Sequence, residues 1–566
     1  MRLQSAISTF TRSITVAEGV FAPGHLGELT RYLPFELVDA VLAETGRVEQ
    51  RLRALPSRVG VYLVLALGLF PVSLPGVWGK LTAGLAGLPG LALADPSEKA
   101  LRDLRRRVGV APLKALFEVV AGPLAQPGTS GVRYRHLRTV AFDGCGSIKV
   151  PDSERNRGWL GRIKYRLAWA GYPTVMLMAL AETGTRGLLG AVFGPGTGPG
   201  SSETAYATRL LPLLDKTMLL LADRAFDGND FLAAVATRSH FLIRAKSTRR
   251  PPVLAVLPDG SFLSLVGGVR VRVIDADVKV TAADGAVHAD RYRLITGLLD
   301  HRTDPAGQLV RLYAERWEVE SAFYSLRHTM LAGHVMRSRD PLGVEQELWA
   351  HLVLYQVLRT AMVAAAESRP GTDPDRVSFT LALESAREQA LLARGIVDTG
   401  QDSDLVGDIG RTVLARLLDK RRPRFSVRKV KSPISRYHAR PKGDDRPLTS
   451  TDITRIDVLV HVGSSVPPPA APPDPNTAAR ADDPAANREQ GQDDDAPASA
   501  QEPPPGGRRA LALALMRTAP DRAWRGRDVA RELGITNFNS FCVQMSQWAN
   551  RGLLHRTAPA TYTLTA

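Results

Sequence analysis

Three carboxylates in this chain stand where phosphate chemistry needs them. Asp143 closes the β-patterned stretch HLRTVAFDG, Asp223 closes the apolar run MLLLADRAF, and Glu320 lies inside YAERWEVESAFYSLR. At about 100° per residue, Tyr313, Arg316, Glu320 and Arg327 share one narrow helical stripe. Leu312, Val319, Phe323, Leu326 and Met330 form an apolar stripe beside it. Carboxylate oxygens suit Mg2+ or Mn2+, hard ions that keep waters and bridge to substrate phosphates. Guanidinium groups and a phenol around such an acid suit a phosphate. Two ions per site, about 3.5 to 4 Å apart, would activate a nucleophile and stabilise the leaving oxygen of an in-line displacement. The expected chemistry is phosphodiester transfer.

Plainer readings stand beside each residue. An amphipathic helix usually carries solvated charges, and a strand-end aspartate commonly starts a turn. Two strand-end aspartates with a glutamate on a later helix over the same sheet are what turn these residues into a metal-site hypothesis. Arg224, directly after Asp223, fits a phosphate contact and a carboxylate pair equally well. Cys145 reads as a small packed residue, Asp227 and Asp230 as a turn and a helix start, and Asp152 and Glu154 as members of a polar loop. No histidine pair, nucleophilic serine motif or GxxxxGK[ST] loop competes, and GPGTGPGSSE lacks the lysine of a phosphate cradle.

Those residues need a sheet to bring them together. HLRTVAFDG, YPTVMLMALAETG and GLLGAVFG read as three successive strands. SETAYATRLLPLL follows as a helix capped by Ser202, then MLLLADRAF as a strand buried on both faces, NDFLAAVATRS as a helix and HFLIRAKS as a strand. That order predicts a mixed α/β sheet covered by helices. Residues 250–295 alternate and turn like a β subdomain inserted before the helix of Glu320. Residues 1–130 read as a helical domain, 131–345 as the catalytic domain, and 346–466 as a helical region ending in the basic run Lys420 to Lys442. Residues 467–507 have almost no large apolar side chains and read as a disordered linker. Residues 508–566 show three helical patterns and a hairpin, as in a winged helix-turn-helix, with a small protein-interaction bundle as the alternative.

Composition narrows the partners. Across 566 residues, Lys+Arg 73 against Asp+Glu 57 gives a formal charge of +16. An arginine-rich excess favours a polyanion, with nucleic acid first. Two distant cysteines offer neither a zinc spacing nor a disulfide framework, so a reducing cytoplasm is expected. VGVYLVLALGLF is too short to span a bilayer and reads as a buried helix, so no membrane partner is expected. The N-terminus lacks the pattern of a signal peptide.

With those residues in view, the chain resembles the DDE transposases of the insertion sequence 4 group from about residue 20 to residue 440. VAFDG with VPDSERN matches the family's first aspartate block, and ADRAF matches its second. Tyr313, Arg316 and Glu320 match its glutamate block in residue and spacing, and Arg327 stands where the family has lysine. The resemblance implies a ribonuclease H-like core in which Asp143, Asp223 and Glu320 hold the metals. Tyr313, Arg316 and Arg327 would grip the DNA backbone near an element's end. It also implies cut-and-paste transposition of double-stranded DNA, with terminal inverted repeats and target DNA as partners and at least a dimer on DNA. The N-terminal helical region would help to recognise the repeat. Relatives stack a flipped base on a tryptophan in the β insertion. None occurs between Trp169 and Trp317 here, which leaves Phe262 or Tyr292 as π faces, each more in keeping with a core position. Two rival readings are a catalytically inactive former transposase that binds DNA and a stand-alone metal-dependent nuclease.

Overall fold

A computed structural model describes residues 20–21, 24–49, 55–86, 92–162, 171–246, 248–282, 285, 287–393, 406–419 and 453–462. Nearer the C-terminus it describes 508–519, 522–533, 545, 548–549, 553–558 and 561–564. The basic run Lys420 to Lys442 and the linker 467–507 lie outside them. The chain divides into two compact units, Met1–Pro468 and Pro469–Ala566.

The first unit begins with helices α1 (Phe35–Glu44), α2 (Ser57–Leu69), α3 (Leu74–Ala83), α4 (Glu98–Val108) and α5 (Ala111–Val120). The run VGVYLVLALGLF forms most of α2 and is buried on all sides, as an all-round apolar helix must be. Gly68 lets α2 close on a later helix, since a Cβ there would sit 2.7 Å from Leu354 Cδ1.

The sheet is built from β1 (Leu137–Lys149), β2 (Thr174–Glu182), β3 (Leu188–Pro195), β4 (Met218–Ala222) and β5 (His240–Arg244). Between β1 and β2 lies α6 (Glu154–Leu160), between β3 and β4 α7 (Glu203–Thr208), and between β4 and β5 α8 (Asn229–Arg238). Ser202 caps α7 by accepting from Ala205 N at 3.1 Å, as its sequence position predicts. The order across the sheet is β3-β2-β1-β4-β5, with β2 and β3 antiparallel neighbours and β4 and β5 parallel ones. It is a mixed sheet, as the sequence predicts. β4 is buried along its whole length.

The β insertion continues the same sheet through β6 (Phe262–Val266), β7 (Val269–Ala282) and β8 (Val287–Thr296), with β8 pairing antiparallel to β5. The sheet totals 11 strands among the described residues. One of them corrects the sequence reading. Residues 453–460, expected within a helical region and basic arm, form β9 (Ile453–Val460), which pairs antiparallel with β7 from Ala276↔Val460 to Ala282↔Ile453. The alternating ITRIDVLV is a strand pattern, and its partner lies far back in the sequence.

After β8 come α9 (Ala306–Leu312), a 3-10 turn (Tyr313–Trp317), α10 (Glu318–Tyr324) and a π-helical turn (Ser325–Met330). The sequence predicts one regular α-helix here. Three windings replace it. Then follow α11 (Pro341–Ser368), α12 (Phe379–Leu391) and α13 (Gly407–Ala415). α11 is apolar and long enough to cross a membrane, yet 89% of its most apolar window is buried inside the fold, so it serves as the core helix of this unit.

Apolar cores lie on both faces of the sheet. Ala141, Cys145, Leu219 and Leu221 share one with Val319, Phe323 and α11. Val140, Phe142, Leu220 and Ala222 share the other with Phe226 and Phe231. Because strand side chains alternate, this parity decides which residues face α10.

In the second unit, α14 (Arg508–Arg517) and α15 (Gly526–Glu532) pack with a hairpin of β10 (Leu554–Ala558) and β11 (Thr561–Leu564) around Met516, Trp524, Val529 and Tyr562. The expected third helix, NFNSFCVQMSQWANRG, falls mostly outside the described residues.

Candidate active site

The register of the two central strands brings the aspartates together. β1 and β4 run parallel with Val140 opposite Leu220 and Ala141 opposite Leu221. Two residues further on come Asp143, still within β1, and Asp223, just past the end of β4. Both share the parity of Ala141 and Leu221, so both belong to the face covered by α10. β4 ends just before Asp223, whose carboxylate accepts from Ala225 N at 2.7 Å and turns the chain into a short 3-10 turn. β1 runs on past this point to Lys149, so the two strands part here.

Glu320 lies on α10, close enough to act on Asp143. Arg316 Nη2 donates to Glu320 Oε1 at 3.0 Å, and its guanidinium lies 4.7 Å from the centre of the Trp317 ring. The arginine side chain is only 7% exposed and the glutamate 39%. Burial pushes the Asp143 carboxyl up to about 8; Glu320 and Asp223 add to the rise, while Arg316 opposes it. Those same three acids, with the Tyr313 hydroxyl, raise Arg316 against the desolvation that would lower it. The three predicted acids and Arg316 therefore share one electrostatic neighbourhood. Among the described residues, no three carboxylate, histidine or cysteine side chains converge closely enough to grip an ion as they stand.

The winding of this helix does the positioning. Residues three apart eclipse in a 3-10 turn, which stacks Tyr313 and Arg316. Tyr313, read from sequence as a phosphate grip, is 3% exposed and packs edge-on against Tyr292. Its hydroxyl donates to Ala222 O at 3.2 Å. That spends its donor on the residue preceding Asp223, so its work here is to hold the strand end. The π turn carries Arg327 and His328, and π turns recur at functional sites. Arg327 is partly exposed, and its Nη2 donates to His328 Nε2 at 3.0 Å. Arg224 is exposed beside Asp223. Phe262 and Tyr292 are both buried.

A buried ion network, not legible in the sequence, fixes the other side of α10. Arg186 Nε donates to Glu318 Oε2 at 2.6 Å, and its Nη2 pairs with Asp375. The Arg186 carbonyl accepts from Tyr355 at 2.8 Å, and Arg359 reaches both the Tyr355 hydroxyl and Ser325 at 3.1 Å. Arg186 holds φ of +61°, a left-handed conformation few arginines adopt. The partners tie a β turn, α10, the π turn and α11 together. Glu318 pairs 132 positions away, and nothing in its local sequence marks it.

Smaller readings also resolve. Cys145 is buried. Asp227 is buried and paired with Arg249 at 2.5 Å, while Asp230 lies in the first turn of α8. Asp152 pairs with Arg157 at 2.7 Å; Glu154, read as part of a loop, is the first residue of α6. Gly144 admits a neighbour the sequence reading left unassigned, since a Cβ there would stand 2.9 Å from Glu203 Oε1.

Asp143, expected to close its strand, instead lies within β1, which continues to Lys149, whereas Asp223 does follow the end of β4. Residues 140–357 of this mixed sheet and its covering helices match the family described as Transposase DDE domain. Residues 23–118 match the Insertion element 4 transposase N-terminal family. The chain is 26% identical over 432 residues to Transposase InsG for insertion sequence element IS4 of Escherichia coli (strain K12), covering 74% of this chain and 94% of that protein. The chain belongs to the insertion sequence 4 family of DDE transposases. A cryo-EM structure of the piggyBac transposase synaptic complex with hairpin DNA aligns over 72% of this chain and 87% of that one, at 10% identity and a TM-score of 0.34.

Proposed function

We propose that this DNA transposase cuts and rejoins DNA through Asp143, Asp223 and Glu320, in cut-and-paste transposition of the element that encodes it. The observation that carries the assignment is the electrostatic coupling of Asp143 to Glu320 and Asp223, supported by the parallel pairing of Ala141 with Leu221 two residues before each aspartate. The strand order and the continuous β insertion support a ribonuclease H-like core.

Divalent metals are general to this class, and the donor set fits them. Crowded hard oxygens and a carboxyl raised to about 8 form a site whose repulsion a cation relieves. Asp143, Asp223 and Glu320 would hold two Mg2+ or Mn2+ ions, which when bound supply an activated nucleophile and charge neutralisation at the phosphate. Arg316 holds Glu320 from a buried position, with its Nε enclosed and without a hydrogen-bond partner among the described residues. Arg327 and Arg224, both accessible, take backbone phosphates. Tyr313 steadies the end of β4. In the reaction, water attacks the phosphorus at the element's end and the P–O3′ bond breaks. The freed 3′-hydroxyl then attacks a phosphorus of target DNA, and as the new P–O bond forms the target's own P–O3′ bond breaks and releases a target 3′-hydroxyl.

The terminal inverted repeats of the element are the DNA partners in this reading, bound with help from the N-terminal helices. Synapsis of two ends needs at least a dimer. The second unit, with two helices and a hairpin, serves as a winged DNA-binding module, and the cytoplasm is the place of action. The test is Mg2+-dependent cleavage of the DNA flanking the coding sequence, with Glu320→Gln beside wild type. Cleavage at the element's end by wild type alone supports the reading. Tight binding without cutting by either protein favours a DNA-binding former transposase.

A further inference from the structure

The helix that carries Glu320 changes winding twice, and a buried side chain is tied down at each change. α10 begins at Glu318, where the 3-10 turn gives way to α-helix, and the π turn begins at Ser325. Glu318 is 2% exposed and accepts from Arg186 Nε at 2.6 Å. Ser325 is also buried; its Oγ accepts from Arg359 Nη2 and donates to the Ser321 carbonyl, each at 3.1 Å. Ser321 directly follows Glu320. Tyr355 on α11 joins the two ties, since its hydroxyl donates to the Arg186 carbonyl at 2.8 Å and accepts from Arg359 Nε at 3.1 Å. Residues two apart on a helix point to opposite sides, so Glu318 is drawn inward while Glu320 is left toward Asp143.

Stability alone is a poor reason for this arrangement. Burying Arg186, Arg359, Glu318 and Asp375 carries a desolvation cost that well-packed apolar side chains of similar size would avoid. Nor does the winding hold itself. 3-10 and π turns are less favourable than α-helix, so the 7 residues of α10 between them would relax toward one regular winding unless both ends were fixed. Such relaxation turns Glu320 relative to the strands, and a reacting group must be held to within about 0.5 Å. We propose that Arg186, Tyr355 and Arg359 are positioning residues that act through Glu320: by pinning both changes of winding they set where its carboxylate stands for a divalent cation. The proposal rests on the assignment of Glu320 to the active site.

Tyr355→Phe unlinks the two ties without removing a charge. Its control is Tyr62→Phe, the same change to a buried hydroxyl, there bonded to the Leu33 carbonyl at 2.6 Å among the N-terminal helices. Mn2+ is titrated into the complex of each protein with a duplex of the DNA flanking the coding sequence. Free ion is read by electron paramagnetic resonance, with the duplex alone subtracted. Tyr355→Phe should weaken Mn2+ binding about 10- to 100-fold, the usual effect of losing a group that orients a metal ligand, and raise the Mn2+ needed for half-maximal cleavage by the same factor. Tyr62→Phe should shift neither, and metal-free DNA affinity should be equal in all three proteins. Added to Glu320→Gln, Tyr355→Phe should change nothing further. Ser325→Ala, which cuts the tie at the π turn, should reproduce the loss and takes the place of Tyr355→Phe if that protein does not fold. Mn2+ affinity unchanged by either substitution, or a loss that persists beside Glu320→Gln, would overturn the positioning role alone. Wild type that binds no Mn2+, or that binds and cuts no better than Glu320→Gln, would instead remove the active-site reading and the positioning role with it.

Discussion

Arg316 and Glu320 stand one turn apart on the same helix, with guanidinium and carboxylate joined at 3.0 Å and the arginine buried against Trp317. The cation is built into the site and cannot leave it, so it sets the direction of the glutamate. Arg316→Gln should lower single-turnover DNA cleavage on the order of 100-fold, the usual result of misplacing a reacting group by about an ångström. DNA affinity, read by fluorescence anisotropy, should change far less. A loss confined to affinity would show that Arg316 acts on DNA and not on Glu320.

Tyr313→Phe separates holding from gripping. Removing a hydroxyl bonded to the Ala222 carbonyl should cost about 1 kcal/mol in urea unfolding, with DNA affinity unchanged. Unaltered stability with weakened DNA binding would return Tyr313 to the phosphate contacts.

Arg186 is the hub of the buried ion network, so Arg186→Met should destabilise the first unit by about 3–5 kcal/mol, because Glu318 and Asp375 are left charged in the interior. Adding Glu318→Gln to Arg186→Met should restore part of that loss. Denaturant titration of the three proteins checks both, and strictly additive losses would argue that the groups do not interact.

His25 gives a pH dependence with a definite sign. Its Nε2 bonds the Leu81 carbonyl at 2.8 Å and its Nδ1 accepts from Gly27 N at 3.2 Å. Burial lowers its pKa from 6.5 to about 4, the Leu81 bond opposing. The unfolded chain binds the proton first as pH falls, so its contribution is complete above pH 6.5 and is lost as pH drops toward 4. The loss should be about 3 kcal/mol. Thermal unfolding at pH 7 and pH 4.5 should show a smaller difference in His25→Gln than in wild type.

The sheet and the place of Asp223 after β4 were legible because strand patterns and a buried apolar run are local signals, whereas the glycines after Asp143 looked like a turn and β1 runs on through them to Lys149. Tyr313, Arg316 and Glu320 stood out by type and spacing. Their geometry did not follow from a uniform period, because tertiary contacts wind the helix tightly before Glu320 and loosely after it. Tyr313 looked available for DNA until Ala222, 91 positions away, took its hydroxyl. Glu318 and Arg186 were invisible for the same reason. Pairs set by sheet topology leave no mark on either local sequence, and β9 hid behind the basic run that precedes it.

The return of the chain as β9 ties the end of the first unit to its middle. β9 pairs with β7 across a stretch of chain that holds α9 to α13. A protein cut short before Ile453 would leave that half of one β7 edge unpaired, a row of backbone donors and acceptors open to another chain.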